Sequence, residues 1–280
     1  MPRAEIVSAF ERYVERFDLP LHYGVRVTSV ALNSSGNGYQ VSSEQGLFDV
    51  RNVVVATGLF QQPKIPSFSV ALSPRLTQLH SGQYRNPGSL PPGAVLVVGS
   101  AQSGCQIAEE LYKSGRRVYL CVGGAGRAPR RYRGKDVFEW QHLSGFLDHT
   151  VDRLPSPKDK FAGNPHVSGQ GGGHTMNLHQ FARDGVVLLG RIQGGSQDTV
   201  WLRPDLKENL AKADRIEAEL VNMIDDFITN TGLDAPPESL PVLCDGYEAN
   251  GKADEQFIER LWKDVFGCAF GCGDPVGRRH

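Results

Sequence analysis

Gly99 and Gly104 are the residues whose spacing bears most directly on chemistry. With Ser100, Ala101, Gln102 and Ser103 between them they form a G-x-A-x-x-G turn. Four apolar residues, Val95 to Val98, precede the turn, and Ile107, Ala108 and Leu111 follow at helical spacing. A glycine at 99 permits a tight turn after a strand, a small residue at 101 lets backbone approach a phosphate, and a glycine at 104 lets a helix lie close to the strand. The first N–H groups of such a helix lack intrahelical partners and, with the helix dipole, present positive charge to an anion. The pattern therefore predicts a pyrophosphate cradle. A second apolar run, Arg117 to Val122, follows at the distance of a βαβ unit. A glycine-rich turn of an ordinary α/β domain is the alternative, and Ala101, where the fingerprint has glycine, keeps it open.

The charge pattern beyond this unit points to the kind of dinucleotide. An NAD site places an acidic residue about 20 residues beyond the first glycine, where it bonds the ribose 2′-OH. Here the second run ends Cys121-Val122-Gly123-Gly124, and no acid occurs until Asp136. Arg127, Arg130, Arg131 and Arg133 follow instead. Guanidinium forks suit a 2′-phosphate, so the pattern favours NADPH over NADH, with a solvated basic loop as the alternative.

No catalytic residue or metal site is indicated. His80, His142, His149, His166, His174 and His179 have no neighbours at zinc-ligand or triad spacing. Ser103 does not stand in a G-x-S-x-G elbow. Cys268, Cys272 and His280 are too few for a metal centre, and Cys105 reads as a packing residue on a helix face.

The elements that must position the turn follow from hydrophobic periodicity. Ile6, Phe10, Tyr13, Val14 and Phe17 predict an amphipathic helix over residues 4–17. Val25, Val27 and Val30, then Tyr39 and Val41, then Phe48 and Val50 predict two or three short strands around the Asn33 to Gly38 turn. Asn52 to Gly58 reads as a buried strand with a small-residue end, and Phe60 to Pro66 as an extended connection. Arg127 to Lys135 reads as a loop, and Pro155 to His174 as a loop or lid. A short helix over Met176 to Ala182 and a strand over Val186 to Gly190 follow. Leu206, Leu210, Ala213, Ile216, Leu220, Ile224 and Phe227 predict a long amphipathic helix stopped by Gly232, and Phe257 to Phe266 a last short helix.

Composition sets the bounds. The chain has 280 residues, enough for two modest domains, with 40% hydrophobic and 22% charged residues. A formal net charge of −1 gives no overall attraction to nucleic acid or membrane. No apolar run is long enough to span a bilayer, and five cysteines do not make a disulfide framework, so the reading is a cytoplasmic protein. A homo-oligomer is left open.

Ala56-Thr57-Gly58, Pro63, Pro66, the His80-Ser81-x-x-Tyr84 loop and Gly99 to Gly104 occur in an order that resembles the flavin-containing monooxygenase-like group of two-dinucleotide oxidoreductases. The similarity is greatest to bacterial NAD(P)/FAD-dependent oxidoreductases associated with potassium transport or cation efflux, and runs from about residue 2 to about residue 248. It implies an α/β, Rossmann-like architecture for FAD and NAD(P), here with an incomplete flavin domain. Residues 1–92 would form a partial FAD-binding domain, 93–248 an NAD(P)H-binding domain with a long loop insertion, and 249–280 a tail outside the family pattern. By the same resemblance Val27 places its backbone near the FAD adenine, Ala56, Thr57 and Gly58 lie near FAD, and Gly99 to Gly104 cradle the NADPH pyrophosphate. The family would carry an arginine where this chain has Gly124.

The implied activity is an NADPH-dependent flavin oxidoreductase or monooxygenase, with FAD and NADPH as cofactors and a small molecule as substrate. The family opens with a strand and a glycine turn for FAD, whereas this chain opens at a helix and holds no second fingerprint. The expectation is therefore the interior of a longer flavoprotein, inactive alone, with a non-catalytic NAD(P)-binding module or interaction fragment as the alternative.

Overall fold

The computed structural model describes residues 3–58, 62–154, 156, 165–245 and 265–270. They group into two compact units that divide between Gln62 and Pro63.

In the first unit, helix α1 (Arg3–Phe17) precedes three strands, β1 (Val27–Leu32), β2 (Tyr39–Ser43) and β3 (Gly46–Val50). They form an antiparallel sheet in chain order, with Val30 opposite Val41 and Val41 opposite Phe48. The predicted strand over Asn52 to Gly58 does not form: the segment is irregular, and Val54 and Val55 are 87% and 78% exposed. An apolar run becomes a buried strand only where neighbours supply ladder hydrogen bonds and cover both faces. Among the described residues no strand pairs with this run.

The second unit is built on a five-stranded parallel sheet. Strands β4 (Thr77–His80) and β5 (Ala94–Val98) come first. Helix α2 (Gln102–Lys113) then leads to β6 (Val118–Cys121), parallel to β5 with Val95 opposite Val118 and Val98 opposite Cys121. This is the unit expected from the glycine turn. Two short strands, β7 (Arg131–Tyr132) and β8 (Lys135–Asp136), form a hairpin inside what reads from sequence as a loop. Arg133 and Gly134 turn it with positive φ. Helix α3 (Val137–Leu143), capped by the Asp136 carboxylate, was not foreseen. Helix α4 (Leu178–Arg183) and strand β9 (Val187–Leu189) fall where expected, followed by a hairpin of β10 (Ile192–Ser196) and β11 (Thr199–Leu202). Helix α5 (Leu206–Thr231) ends at Gly232, which adopts the left-handed conformation and donates its N–H to Ile228.

Strand β12 (Val265–Phe270) lies between β4 and β5, parallel to both, so the sheet order is β4-β12-β5-β6-β9. The sequence-based helix over Phe257 to Phe266 is corrected in part: Val265 and Phe266 are strand, and 257–264 lie outside the described residues. The units also divide about thirty residues before the boundary suggested at 92, because β4 pairs with the sheet of the second unit.

Burial on both faces explains the unbroken run of Val95 to Val98. Val95 and Val97 pack with Cys105, Ile107, Ala108 and Leu111 of α2 and with Leu178, Leu206 and Leu210. On the opposite face Leu96 and Val98 pack with Tyr119, Cys121 and Leu189, covered by Phe68, Ile192 and Leu202. Each such side chain contributes about 1.5–3 kcal/mol of burial. The core therefore holds the carboxyl ends of β5 and β6 in a fixed relation. A separate cluster joins Tyr132 and Trp140 to Ile224 and Ile228 of α5.

Candidate functional site

The turn between β5 and α2 is held from several sides. Gly99 has φ +98°, a conformation that suits glycine, and its N–H bonds the Cys121 carbonyl at 3.1 Å. Ser100 is buried, and its hydroxyl accepts from the Gly123 N–H at 2.9 Å, which ties the end of β5 to the end of β6. Ala101 is the extended residue before α2, and no side chain caps the helix. A Cβ on Gly104 would stand 1.8 Å from the Gly99 carbonyl oxygen, so strand and helix approach as closely as a glycine allows. An uncapped helix start at the carboxyl end of two parallel strands, with a backbone approach only glycine permits, fits a pyrophosphate.

Gln102 and Ser103 complete the first turn of α2, both half-buried. The Gln102 amide is committed: its Nε2 donates to the Val167 carbonyl at 2.7 Å and its Oε1 accepts from the Val167 N–H at 3.1 Å. The His166 N–H bonds the Gly126 carbonyl at 3.2 Å, so this segment lies against the chain leaving β6. Of the expected loop or lid, Pro155 and residues 157–164 lie outside the described residues.

The arginines of the basic loop have partners within the fold. Arg127 is only 4% exposed, and its Nη2 donates to Asp214 at 2.7 Å and to Glu217 at 2.6 Å, both on α5. Arg130 pairs with Asp136 at 2.8 Å, and Arg131 donates to the carbonyls of Gly172 and Gly173. Arg133 pairs with Asp225 at 2.8 Å. These guanidiniums fasten the β7–β8 hairpin and its flanks to the rest of the unit, because packing brings carboxylates and carbonyls within reach.

Around Arg127 lies a buried polar group. His179 Nε2 stands 3.1 Å from Asp214. Burial opposes ionisation of Asp214, but the hydrogen bonds from His179 and Arg127 outweigh it and hold its carboxyl below the usual range. Arg127 is likewise desolvated by burial, yet its bonds to Glu217 and Asp214 push its pKa up. His166 is almost fully buried; burial, with the charge of Arg127 adding to it, lowers its pKa to about 4 and keeps it neutral. Cys105 is a packing residue, fully buried in the core between β5 and α2, and burial pushes its thiol up. Among the described residues no group of three or more His, Cys, Asp or Glu could hold a metal ion. No helix among them is long and apolar enough to cross a membrane.

Two cations that the sequence did not single out stand at the end of β6. A Cβ on Gly124 would lie 3.2 Å from Lys212 Nζ and 3.5 Å from Arg191 Nη2. The one hint in the sequence was Asn209, a polar residue near Leu206 and Leu210 on α5, one helical turn before Lys212. Asn209 is buried; its Nδ2 donates to the Val122 carbonyl at 3.1 Å, and its Oδ1 accepts from Arg191 at 3.0 Å.

The remaining predicted residues belong to the first unit. Val27 opens β1, opposite Ser43, and is exposed. Ala56, Thr57 and Gly58 are exposed, and Gly58 has φ +79°. Cys268 lies within β12, while Cys272 and His280 fall outside the described residues.

Residues 1–139 match the profile of the family described as pyridine nucleotide-disulphide oxidoreductase. An uncharacterized CzcO-like oxidoreductase of Geobacillus kaustophilus is 40% identical over 145 residues, 51% of this chain and 41% of the relative. The uncharacterized oxidoreductase CzcO of Bacillus subtilis is 31% identical over 196 residues, 70% of this chain and 54% of the relative. The chain thus spans about half the length of these curated relatives. Among solved structures, a mutant flavin monooxygenase of Stenotrophomonas maltophilia superposes with a TM-score of 0.52 at 14% identity, covering 97% of this chain and 57% of the other. That likeness shows a shared fold.

Proposed function

We infer that this chain, which belongs to the pyridine nucleotide-disulphide oxidoreductase family, binds NADPH at the β5–α2 turn as part of a flavin-dependent oxidoreductase of the monooxygenase type. One observation carries the reading: α2 starts without a side-chain cap at a turn where Gly104 lets it lie against Gly99, between two parallel strands. The backbone N–H groups of Gln102, Ser103 and Gly104 would hold the pyrophosphate oxygens, with the helix dipole favouring their charge. The Ser100 hydroxyl fixes the Gly123 N–H and so holds the ends of β5 and β6 together. Gly123 has nothing within 4 Å of a Cβ position, which leaves room for the adenosine ribose. Bound NADPH supplies the hydride for a flavin, and the family uses FAD and NAD(P)H. Val27, Ala56, Thr57 and Gly58 are the proposed flavin contacts of the first unit. A small organic molecule is the proposed substrate of the whole protein.

Calorimetric titration of the purified chain with NADPH tests this reading, alongside its visible spectrum for oxidised flavin. Saturable NADPH binding at one site per chain is expected. The flavin band should be absent, because among the described residues only one glycine turn opens a helix behind a sheet strand, and it is assigned to NADPH. Failure to bind NADPH would overturn the assignment, and a full flavin band would require a different anchor for FAD.

A further inference from the structure

We propose that residues 166–175 form a latched strap that gates entry and exit of the nucleotide at the β5–α2 turn. The inference rests on the nucleotide reading above and deepens it. Gln102 links the two, since its backbone N–H belongs to the cradle and its side chain to the strap.

The strap is fastened to α2 at two points. At the helix start the Gln102 amide holds both backbone groups of Val167, donating to the carbonyl at 2.7 Å and accepting from the N–H at 3.1 Å. Two turns along the helix, His174 Nε2 stands 2.6 Å from Oε1 of the buried Glu109, and Lys113 Nζ reaches the same oxygen at 2.7 Å. Arg131 adds a third tether through the carbonyls of Gly172 and Gly173, and the Arg130 N–H donates to the Thr175 hydroxyl at 2.9 Å. Between these anchors the chain closes on itself, with the Ser168 N–H donating to the His174 carbonyl at 3.1 Å. With the strap in place Ala101, Gln102 and Ser103 are only part-exposed, although they open the helix at the end of a sheet strand.

Polar bonds hold this segment, not a core. Val167 is its one aliphatic side chain and is half-buried. Segments with few buried apolar contacts open locally while the sheet beneath them stays folded. The tip supplies the freedom to move: Gly171, Gly172 and Gly173 have φ of +58°, +87° and +93°, a run that suits glycine. Cβ positions on Gly171 and Gly172 would meet nothing within 4 Å, so the tip has open space around it. A strap closed over both the free and the occupied cradle slows association and dissociation alike, because each must wait for opening. Its effect therefore cancels in the affinity and appears in the rates.

The test combines amide hydrogen exchange with stopped-flow NADPH binding and a thermal melt. In the unmutated chain the Val167 amide should exchange at least about tenfold faster than the Val97 amide of β5, through local opening. Gln102→Ala and His174→Ala should each speed Val167 exchange by roughly tenfold and leave Val97 within about threefold. His174→Ala should raise both nucleotide rate constants by roughly five- to tenfold with Kd within about threefold. Arg131→Ala, which frees the Gly172 and Gly173 carbonyls, should shift the rates in the same direction by a different tether. If Val167 exchanges only as slowly as Val97, the strap does not open and the inference is overturned. If exchange quickens in the variants while both nucleotide rates stay unchanged, the strap is no gate, and the nucleotide site stands without it. If the unmutated chain does not bind NADPH, the nucleotide reading fails and takes the gate with it.

Discussion

Replacing Gly104 by alanine probes the contact on which the proposed nucleotide site depends. The added methyl would lie 1.8 Å from the Gly99 carbonyl oxygen and 2.9 Å from its carbon. Relief to an ordinary contact requires α2 and the turn to part by roughly 1.5 Å, since non-bonded heavy atoms rest at about 3.5 Å. Overpacking of this kind costs about 1–3 kcal/mol of stability. The same movement swings the first N–H groups of α2 away from the anion they would bind. Each charge-assisted hydrogen bond contributes about 1.5–3 kcal/mol, so losing one weakens NADPH by roughly ten- to a hundredfold. The assay is calorimetric NADPH binding together with a thermal melt, with Ile228→Ala as control. Ile228 is buried in the cluster with Tyr132 and Trp140, so its truncation should destabilise by about 2–5 kcal/mol without altering affinity. A Gly104→Ala protein that is destabilised yet binds NADPH as tightly as the unmutated chain would refute the reasoning.

Two further outcomes follow from the second unit. The folded-state pKa of His166, lowered to about 4 by burial, lies below its unfolded value. The unfolded chain therefore binds the extra proton first, and stability falls as pH drops from about 6.5 toward 4, by about 3 kcal/mol at most. Urea melts across that window should show this acid limb, and His166→Gln should flatten it; an unchanged limb would assign the effect to other groups. Deleting residues 246–280 removes β12, which pairs with both β4 and β5. The truncated chain should melt lower and aggregate through the exposed edge of β5; an unchanged melt would show that β12 contributes nothing to the sheet.

Which parts of this structure could be read from the sequence follows from where each residue finds its partners. Val95 to Val98 and the Leu206 to Phe227 stripe were legible because burial of a strand on both faces, and of a helix on one, leaves a local pattern. The Gly99 to Gly104 turn was legible because its glycines serve contacts only five residues apart. Val53 to Val55 has the same apolar pattern as β5 but is not a strand, since periodicity cannot say whether a neighbouring strand exists. Arg127 looked like one of four cations in a basic loop. Its partners Asp214 and Glu217 lie 87 and 90 residues away, and only the packing of α5 brings them together. The approach of Lys212 and Arg191 to Gly124 was not legible for the same reason, since it exists only in three dimensions. Strand β12, with Gly267, Cys268 and Ala269, has weak strand propensity of its own and is ordered by the ladders on either side.

The most direct measurement is an amide NMR titration of the isotopically labelled chain with NADP⁺. Saturable shifts should concentrate at Gly99, Gln102, Ser103 and Gly104, and extend to Gly123 and Gly124 at the end of β6. Saturable binding that leaves the Gly99 to Gly104 amides unmoved would contradict the site, as would the absence of binding.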